Sequence, residues 1–142
     1  MKIIDFYGNE IWSDAKEIEV LENSSQEFYH FPLDKIDKKS TVLIAKFDDK
    51  TSYFYFAKPK ELKLPKSDIQ QKIVKTDKRF AITIKSNVLL KDVFLFTQEK
   101  GHFSDNFFDV LPNQTKTVFF ETKTTKLNDL KIKTLNEING SY

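Results

Sequence analysis

The chain has 142 residues, of which 39% are hydrophobic and 31% charged, and its formal net charge is +2. A chain of this length can form one domain whose core needs no disulfide or metal, and this composition excludes a disordered chain. Cysteine is absent, which excludes a thiol nucleophile, a thiolate metal site and a disulfide framework.

Neither nucleic acid nor a membrane is expected as a partner. The net charge is small and lysines alternate with acidic residues, so the sequence shows no basic block. No apolar run approaches the ~20 residues that span a bilayer. The apolar run at the amino end stops at Asp5, too early for a signal peptide. If the protein is exported, its signal lies outside this chain, and our interpretation of the compartment is periplasmic or secreted in a bacterium.

Aromatic residues are unusually frequent, with 14 Phe, 5 Tyr and 1 Trp, and such residues favour β-strands. In the first half of the chain, strands are predicted at Ile3–Tyr7, Glu17–Val20, Glu27–Phe31, Thr41–Phe47 and Ser52–Ala57. The last two are joined by a short polar turn and should form an antiparallel hairpin. Trp12 is expected to be a packing anchor, with a sugar-stacking platform as the alternative if its ring is exposed.

In the second half, the segment 58–79 carries two prolines and is predicted to be a long connection between two sheets. Strands are predicted at Phe80–Lys85, Asp92–Thr97, Thr117–Phe120 and Leu130–Ile132, and Asn136–Tyr142 is predicted to be a tail. In the first of these strands, alternation directs Phe80, Ile82 and Ile84 to the core. Strands at this spacing, with one long connection between sheets, predict an all-β antiparallel sandwich with Greek-key topology.

The stretch Gly101–Phe120 is predicted to be a structural corner. Asp105 and Asn106 have turn chemistry, because their short polar side chains bond to nearby backbone amides. We expect the next residues to enter the core, namely Phe107, Phe108 and Leu111. On that basis Phe107→Ala should cost about 3–5 kcal/mol of stability.

No catalytic, cofactor or metal residue is predicted. The histidines, His30 and His102, lie far apart in the sequence and neither has a second ligand at metal-binding spacing. A calcium site formed by Asp105, Asn106 and Asp109 is an alternative to turn chemistry, although the spacing does not match an EF-hand loop. The paired acids of the loops lie among lysines and are expected to be solvated, unlike the carboxylates of a glycosidase.

The segment Phe103–Pro112, Phe-Ser-Asp-Asn-Phe-Phe-Asp-Val-Leu-Pro, resembles a segment of the C-terminal immunoglobulin-like domain of β-mannosidases, which belong to glycoside hydrolase family two. The chain departs from that pattern at Asn113, where the family often has glycine. Asp5–Gly8 with Ile11 and Trp12 resembles the opening strand and turn of such a domain, and Tyr53–Phe56 resembles a later strand.

The resemblance implies a parent enzyme that hydrolyses terminal β-mannosides at two glutamates of a (β/α)₈ barrel. Such a barrel needs about 250 residues and cannot lie in this chain. The resemblance therefore implies that residues 1–142 are a single immunoglobulin-like, C-terminal accessory domain with an antiparallel β-sandwich fold. It would be inactive alone, and its partners would be the other domains of the same parent enzyme. The alternatives are a carbohydrate-binding sandwich, which would use exposed aromatic residues to bind a glycan, and a protein-interaction module.

Overall fold

The computed structural model describes residues 1–19 and 21–139. Its elements follow the order β1 (Lys2–Asp5), β2 (Glu10–Ser13), β3 (Thr41–Phe47), β4 (Lys50–Tyr55), β5 (Gln70–Lys75), β6 (Arg79–Lys85), β7 (Leu90–Phe96), β8 (Gly101–Phe103), β9 (Phe108–Val110), β10 (Thr115–Thr122), β11 (Lys131–Lys133) and α1 (Leu135–Asn139). Single 3₁₀ turns lie at Leu33–Lys35 and Pro59–Glu61. None of the helices in the described ranges is long and apolar enough to cross a membrane.

The strands form three antiparallel arrangements. The N-terminal sheet has the order β2-β1-β3-β4, and the other two sheets have the orders β5-β6-β10-β8 and β11-β7-β9. Strands β6 and β10 pair directly although β7, β8 and β9 lie between them in the sequence, so the chain crosses between sheets as in a Greek key. The predicted all-β antiparallel sandwich is confirmed.

The two latter sheets enclose one apolar core, which we call the sandwich core. Alternation along β6 places Phe80, Ile82 and Ile84 in it, as predicted, and β10 contributes Val118 and Phe120. The facing sheet contributes buried residues from β7 and β9, which are Leu90, Val93, Leu95 and Val110.

A second apolar core joins the N-terminal sheet to the end of the sandwich, and we call it the junction core. The first 61 residues contribute Ile4, Phe6, Val42 and Ile44, and the later part of the chain contributes Leu62, Leu64, Leu89 and Leu111. Two backbone hydrogen bonds cross the same boundary, from Leu89 N to Phe6 O at 2.8 Å and from Lys63 N to Lys39 O at 2.8 Å. The sheet and the sandwich are therefore packed as one body.

Two predicted strands of the first half are wrong. Residues 17–19 and 27–31 form no strand, and Val20 lies outside the described residues. Aromatic side chains, and not ladder hydrogen bonds, fasten this segment, because the rings of Tyr29 and Phe31 lie 5.9 and 5.1 Å from the ring of Trp12. The aromatic residues of this segment predicted a strand, because such residues favour strands. Here they pack against the face of the sheet instead, and aromatic content alone does not distinguish the two arrangements.

The second half also differs from prediction, since β8 and β9 were not predicted as strands. The connection at 58–79 includes a strand, β5, which forms the edge of its sheet and whose residues are all exposed. The predicted tail at 136–142 begins with the helix α1, in which Asn136 is only 1% exposed. Residues 140–142 of that predicted tail lie outside the described residues.

Candidate functional site

The corner is held by the side chain of Asn106, which replaces a strand partner for β7. Its Oδ1 accepts a hydrogen bond from Leu95 N at 2.7 Å, and its Nδ2 donates to Leu95 O at 2.9 Å. Asp105 Oδ1 accepts from Asn106 N at 2.9 Å, and Asp105 Oδ2 lies 2.7 Å from Lys116 Nζ. The turn chemistry predicted for Asp105 and Asn106 is confirmed.

The predicted burial of Phe107 is wrong, because its side chain is 67% exposed. The backbone φ at Phe107 is +57°, so the alternation of side chains is broken there. The ring of Phe107 stacks on the outside of the sheet against Phe94, with centroids 4.8 Å apart and 24° between planes. Phe108 packs against the sandwich core and Leu111 is buried, as predicted for both. The predicted loss of about 3–5 kcal/mol of stability for Phe107→Ala assumed a buried ring and therefore does not apply.

The oxygens of the proposed calcium ligands do not converge. Asp105 and Asn106 bind the donors of the corner, whereas Asp109 turns to β4 and β7. In residues 1–19 and 21–139, no three metal-ligating carboxylate, imidazole or thiol side chains lie together. His30 and His102 are exposed and occupy different parts of the fold.

A polar cluster lies where the N-terminal sheet meets the sandwich, and we call it the junction cluster: Tyr55, Lys91, Asp92 and Asp109. Asp109 Oδ2 accepts a hydrogen bond from Tyr55 Oη at 2.6 Å. Asp109 Oδ1 accepts from Asp92 N at 2.8 Å and from Lys91 Nζ at 3.3 Å. The side chains of Lys91 and Asp109 are only 13% and 9% exposed, so this ion pair is largely shielded from water.

The ammonium group of Lys91 contacts two carboxylates and the face of an aromatic ring, and its backbone amide is also bonded. Its Nζ lies 2.5 Å from Asp92 Oδ1 and 5.0 Å from the centroid of the Tyr55 ring. Its backbone N–H donates to Asn136 Oδ1 at 2.9 Å, and Asn136 Nδ2 donates to Pro65 O and Leu89 O at 2.9 and 2.8 Å. The cluster thus connects β4, β7, β9, α1 and the connecting segment.

The electrostatics of the junction cluster favour a structural role. Burial and the neighbouring charge of Asp109 raise the pKa of Tyr55 well above its ordinary value. The phenol therefore remains a proton donor at neutral pH, and Asp109 is occupied by three donors. A general acid or base needs a pKa near the working pH, and the pKa of Tyr55 is raised away from that range. The hydrogen bonds of the cluster join β4, β7 and β9.

Sequence reasoning missed this cluster, since its members are spread from position 55 to position 109. One signal was present: Lys91 and Asp92 interrupt the otherwise apolar run from Val88 to Phe96. A charged pair inside such a run indicates a buried ion pair or a bulge. The structure shows both, because the pairing of β7 with β9 is irregular between Leu90 and Val93.

The outer face of the N-terminal sheet carries an apolar row that crosses all four strands. Cross-strand pairing places Trp12 beside Ile3, Ile3 beside Leu43, and Leu43 beside Phe54. Ile3 is buried and Trp12 is half-buried beneath the rings of the 27–31 segment, which supports a packing role for Trp12. At the other end of the row Phe54 is 58% exposed.

Comparison with known families identifies both parts of the chain. A model of the mannosidase Ig-fold domain matches residues 64–138, and a model of the mannosidase Ig/CBM-like domain matches residues 1–61. A comparison with curated proteins gave no match.

Among solved structures, the crystal structure of a β-D-mannosidase from Dictyoglomus thermophilum superposes with a TM-score of 0.69 at 21% identity. The match covers 93% of this chain and 17% of that chain, so this chain spans less than a fifth of the enzyme's length. At this identity the likeness shows the fold alone. Together with the family matches, it confirms the resemblance of Phe103–Pro112 to the C-terminal immunoglobulin-like domain of mannosidases. The chain belongs to the mannosidase Ig-fold domain family.

Proposed function

We propose that this chain is a non-catalytic accessory β-sandwich unit of a larger β-mannosidase, and that the parent enzyme hydrolyses terminal β-D-mannosides. The match of residues 64–138 to the mannosidase Ig-fold domain carries the proposal. The match of residues 1–61 to a second mannosidase domain supports it. The partners of the unit are the other domains of the same parent enzyme.

The two matched segments act as one accessory unit. Residues 64–138 contain the sandwich, and residues 1–61 contain the N-terminal sheet. Both contribute to the junction core, and the hydrogen bond from Tyr55 to Asp109 crosses between them. Because each segment buries part of the other, the free energy of unfolding of one segment depends on the other being folded.

The exposed half of the outer face is the proposed surface for docking on another domain of the parent. Phe54 lies there, and Phe47 lies on the same side of β3 as Leu43 because side chains alternate along a strand. Phe56 contacts Phe54 edge-on with centroids 5.3 Å apart. Phe54 and Phe47 are exposed and Phe56 is half-buried. An exposed apolar patch is typical of a contact site, because leaving apolar rings in water is unfavourable.

The first experiment tests catalysis. The purified chain, incubated with an aryl β-mannoside, should give no turnover above buffer, since the mannosidase Ig-fold domain is proposed to have only an accessory role. Turnover at enzyme-like rates that survives repeated purification would overturn the accessory role. Sequencing the gene upstream of residue 1 is the companion test, because a barrel-sized region is expected there and its absence would favour a freestanding binding or interaction module.

The second experiment tests docking. The rest of the parent enzyme, expressed without this unit, should bind the purified chain, and Phe54→Ser should weaken that binding about tenfold, as expected for a central aromatic contact. Phe96→Ser is the matched control, because Phe96 is also exposed but belongs to β7 of the sandwich and not to the N-terminal sheet. Equal affinities of the two variants would remove the outer face from the proposal.

A further inference from the structure

We propose that Phe107 is the stacking platform of a glycan-binding subsite, which accepts one pyranose ring of a neutral sugar on the outside of the β7–β9 pair. The subsite is distinct from the outer face of the N-terminal sheet. It would be a property of this chain alone, and it does not depend on the accessory role in a mannosidase.

The backbone at Phe107 presents its ring to solvent at an energetic cost. A φ of +57° lies in the left-handed region, which is strained for a bulky residue. Asn106, fixed by two hydrogen bonds to Leu95, holds the corner in this conformation, and its Oδ1 also accepts from Phe107 N at 3.2 Å. Strain that the surroundings enforce is typical of ligand-contacting positions.

The ring of Phe107 has a packing partner on one face and is open to solvent elsewhere. Phe94 supports one of its faces in a stacked contact at 4.8 Å, while the side chain as a whole remains 67% exposed. A ring that is already fixed loses little conformational entropy on binding. Phe107 therefore offers a flat apolar surface about the size of one sugar ring.

Polar side chains line a concave surface to which this ring also belongs. Tyr53, Asp92, Gln114 and Lys116 line it together with Phe107. A pyranose has an apolar C–H face and hydroxyl groups at its edge, so the ring and these side chains match its two kinds of surface. An aromatic contact with a few placed polar groups is the usual composition of a small-ligand site.

The charge balance of the concavity favours a neutral ligand. Lys116 is paired with Asp105 at 2.7 Å, and Lys91 is paired with Asp92 at 2.5 Å and with Asp109 at 3.3 Å. Each lysine there already faces a carboxylate, so a phosphate or an acidic sugar would meet no uncompensated positive charge. A neutral hexose can exchange hydrogen bonds with both signs of side chain.

The test is a titration of the ¹⁵N-labelled chain with methyl β-D-mannopyranoside and with a β-1,4-linked mannobiose, up to about 50 mM, which is well above a millimolar Kd. Saturable shifts are expected at the backbone amides of Phe107, Phe108 and Lys116. Phe107→Ala should weaken binding about tenfold, and Phe107→Tyr should retain it. Phe96→Ala is the matched control and should bind as the unchanged chain does, because Phe96 lies on β7 and does not line the concavity.

Three outcomes would overturn the proposal. The first is the absence of saturable shifts with either sugar, and the second is binding that Phe107→Ala leaves unchanged. The third is a structure of a longer chain in which another protein domain covers Phe107, which would make this ring an interface residue. Loss of binding in Phe107→Ala is interpretable only with an unchanged amide spectrum elsewhere, which the exposure of the ring leads us to expect.

Discussion

Replacement of Asp109 by Asn should destabilise the chain by about 2–3 kcal/mol. The substitution keeps the shape of the side chain but removes the charge of a carboxylate. That carboxylate is 9% exposed and accepts three hydrogen bonds. Breaking a buried ion pair by removing one partner typically costs about 3–5 kcal/mol. Lys91 still has Asp92 at 2.5 Å, so the expected loss is smaller.

The assay is urea unfolding followed by circular dichroism. We expect a single transition with a lower midpoint and an unchanged m value, because the junction core makes the N-terminal sheet and the sandwich one cooperative body. Asp105→Asn is the matched control and should cost less than about 1 kcal/mol, since its pair with Lys116 is solvent-exposed. Combining Asp109→Asn with Lys91→Met should cost less than the sum of the two single changes. A loss for Asp109→Asn no larger than that of the control would refute this account of the junction cluster.

The other predictions concern Asn136, the contrast between Phe107 and Phe120, and Tyr55. Asn136→Ala should lower the free energy of unfolding by about 2–4 kcal/mol, because it leaves buried backbone groups without partners. Asn128 is exposed, so Asn128→Ala should change the urea midpoint little. Equal shifts of the midpoint in the two variants would contradict the role of Asn136 in holding α1 to the sandwich. Phe107→Ala should lower stability by less than about 1 kcal/mol, and Phe120→Ala, which removes a buried ring, by about 3–5 kcal/mol. Thermal unfolding of the two variants measures this difference. A larger loss for Phe107→Ala than for Phe120→Ala would disprove it. The pKa of Tyr55 is raised in the folded state, so its contribution to the free energy of unfolding is complete below about pH 10 and is lost as pH rises further. Tyr55→Phe should flatten the fall in stability at alkaline pH. Parallel curves of stability against pH for the two proteins would exclude the phenol as the cause of that fall.

The sandwich strands were predictable because their information is local. In β6, Phe80, Ile82 and Ile84 alternate with polar residues, and any sheet that buries one face must bury all three. The corner could be predicted in part, since Asp105 and Asn106 have side chains that bond to backbone. Which neighbouring ring entered the core depended on the backbone angle at Phe107, and residue type alone does not give that angle.

The sequence by itself determined the fold class, the hairpin of β3 and β4, and the family, because alternation, turn residues and the Phe103–Pro112 segment are all continuous in the chain. Only the tertiary structure decided where the polar groups meet. Tyr55, Lys91, Asp109 and Asn136 come from four separate elements, and their low exposure and mutual distances exist only after the N-terminal sheet has packed on the sandwich. Burial makes such contacts strong, and burial is a property of the whole fold and not of a segment.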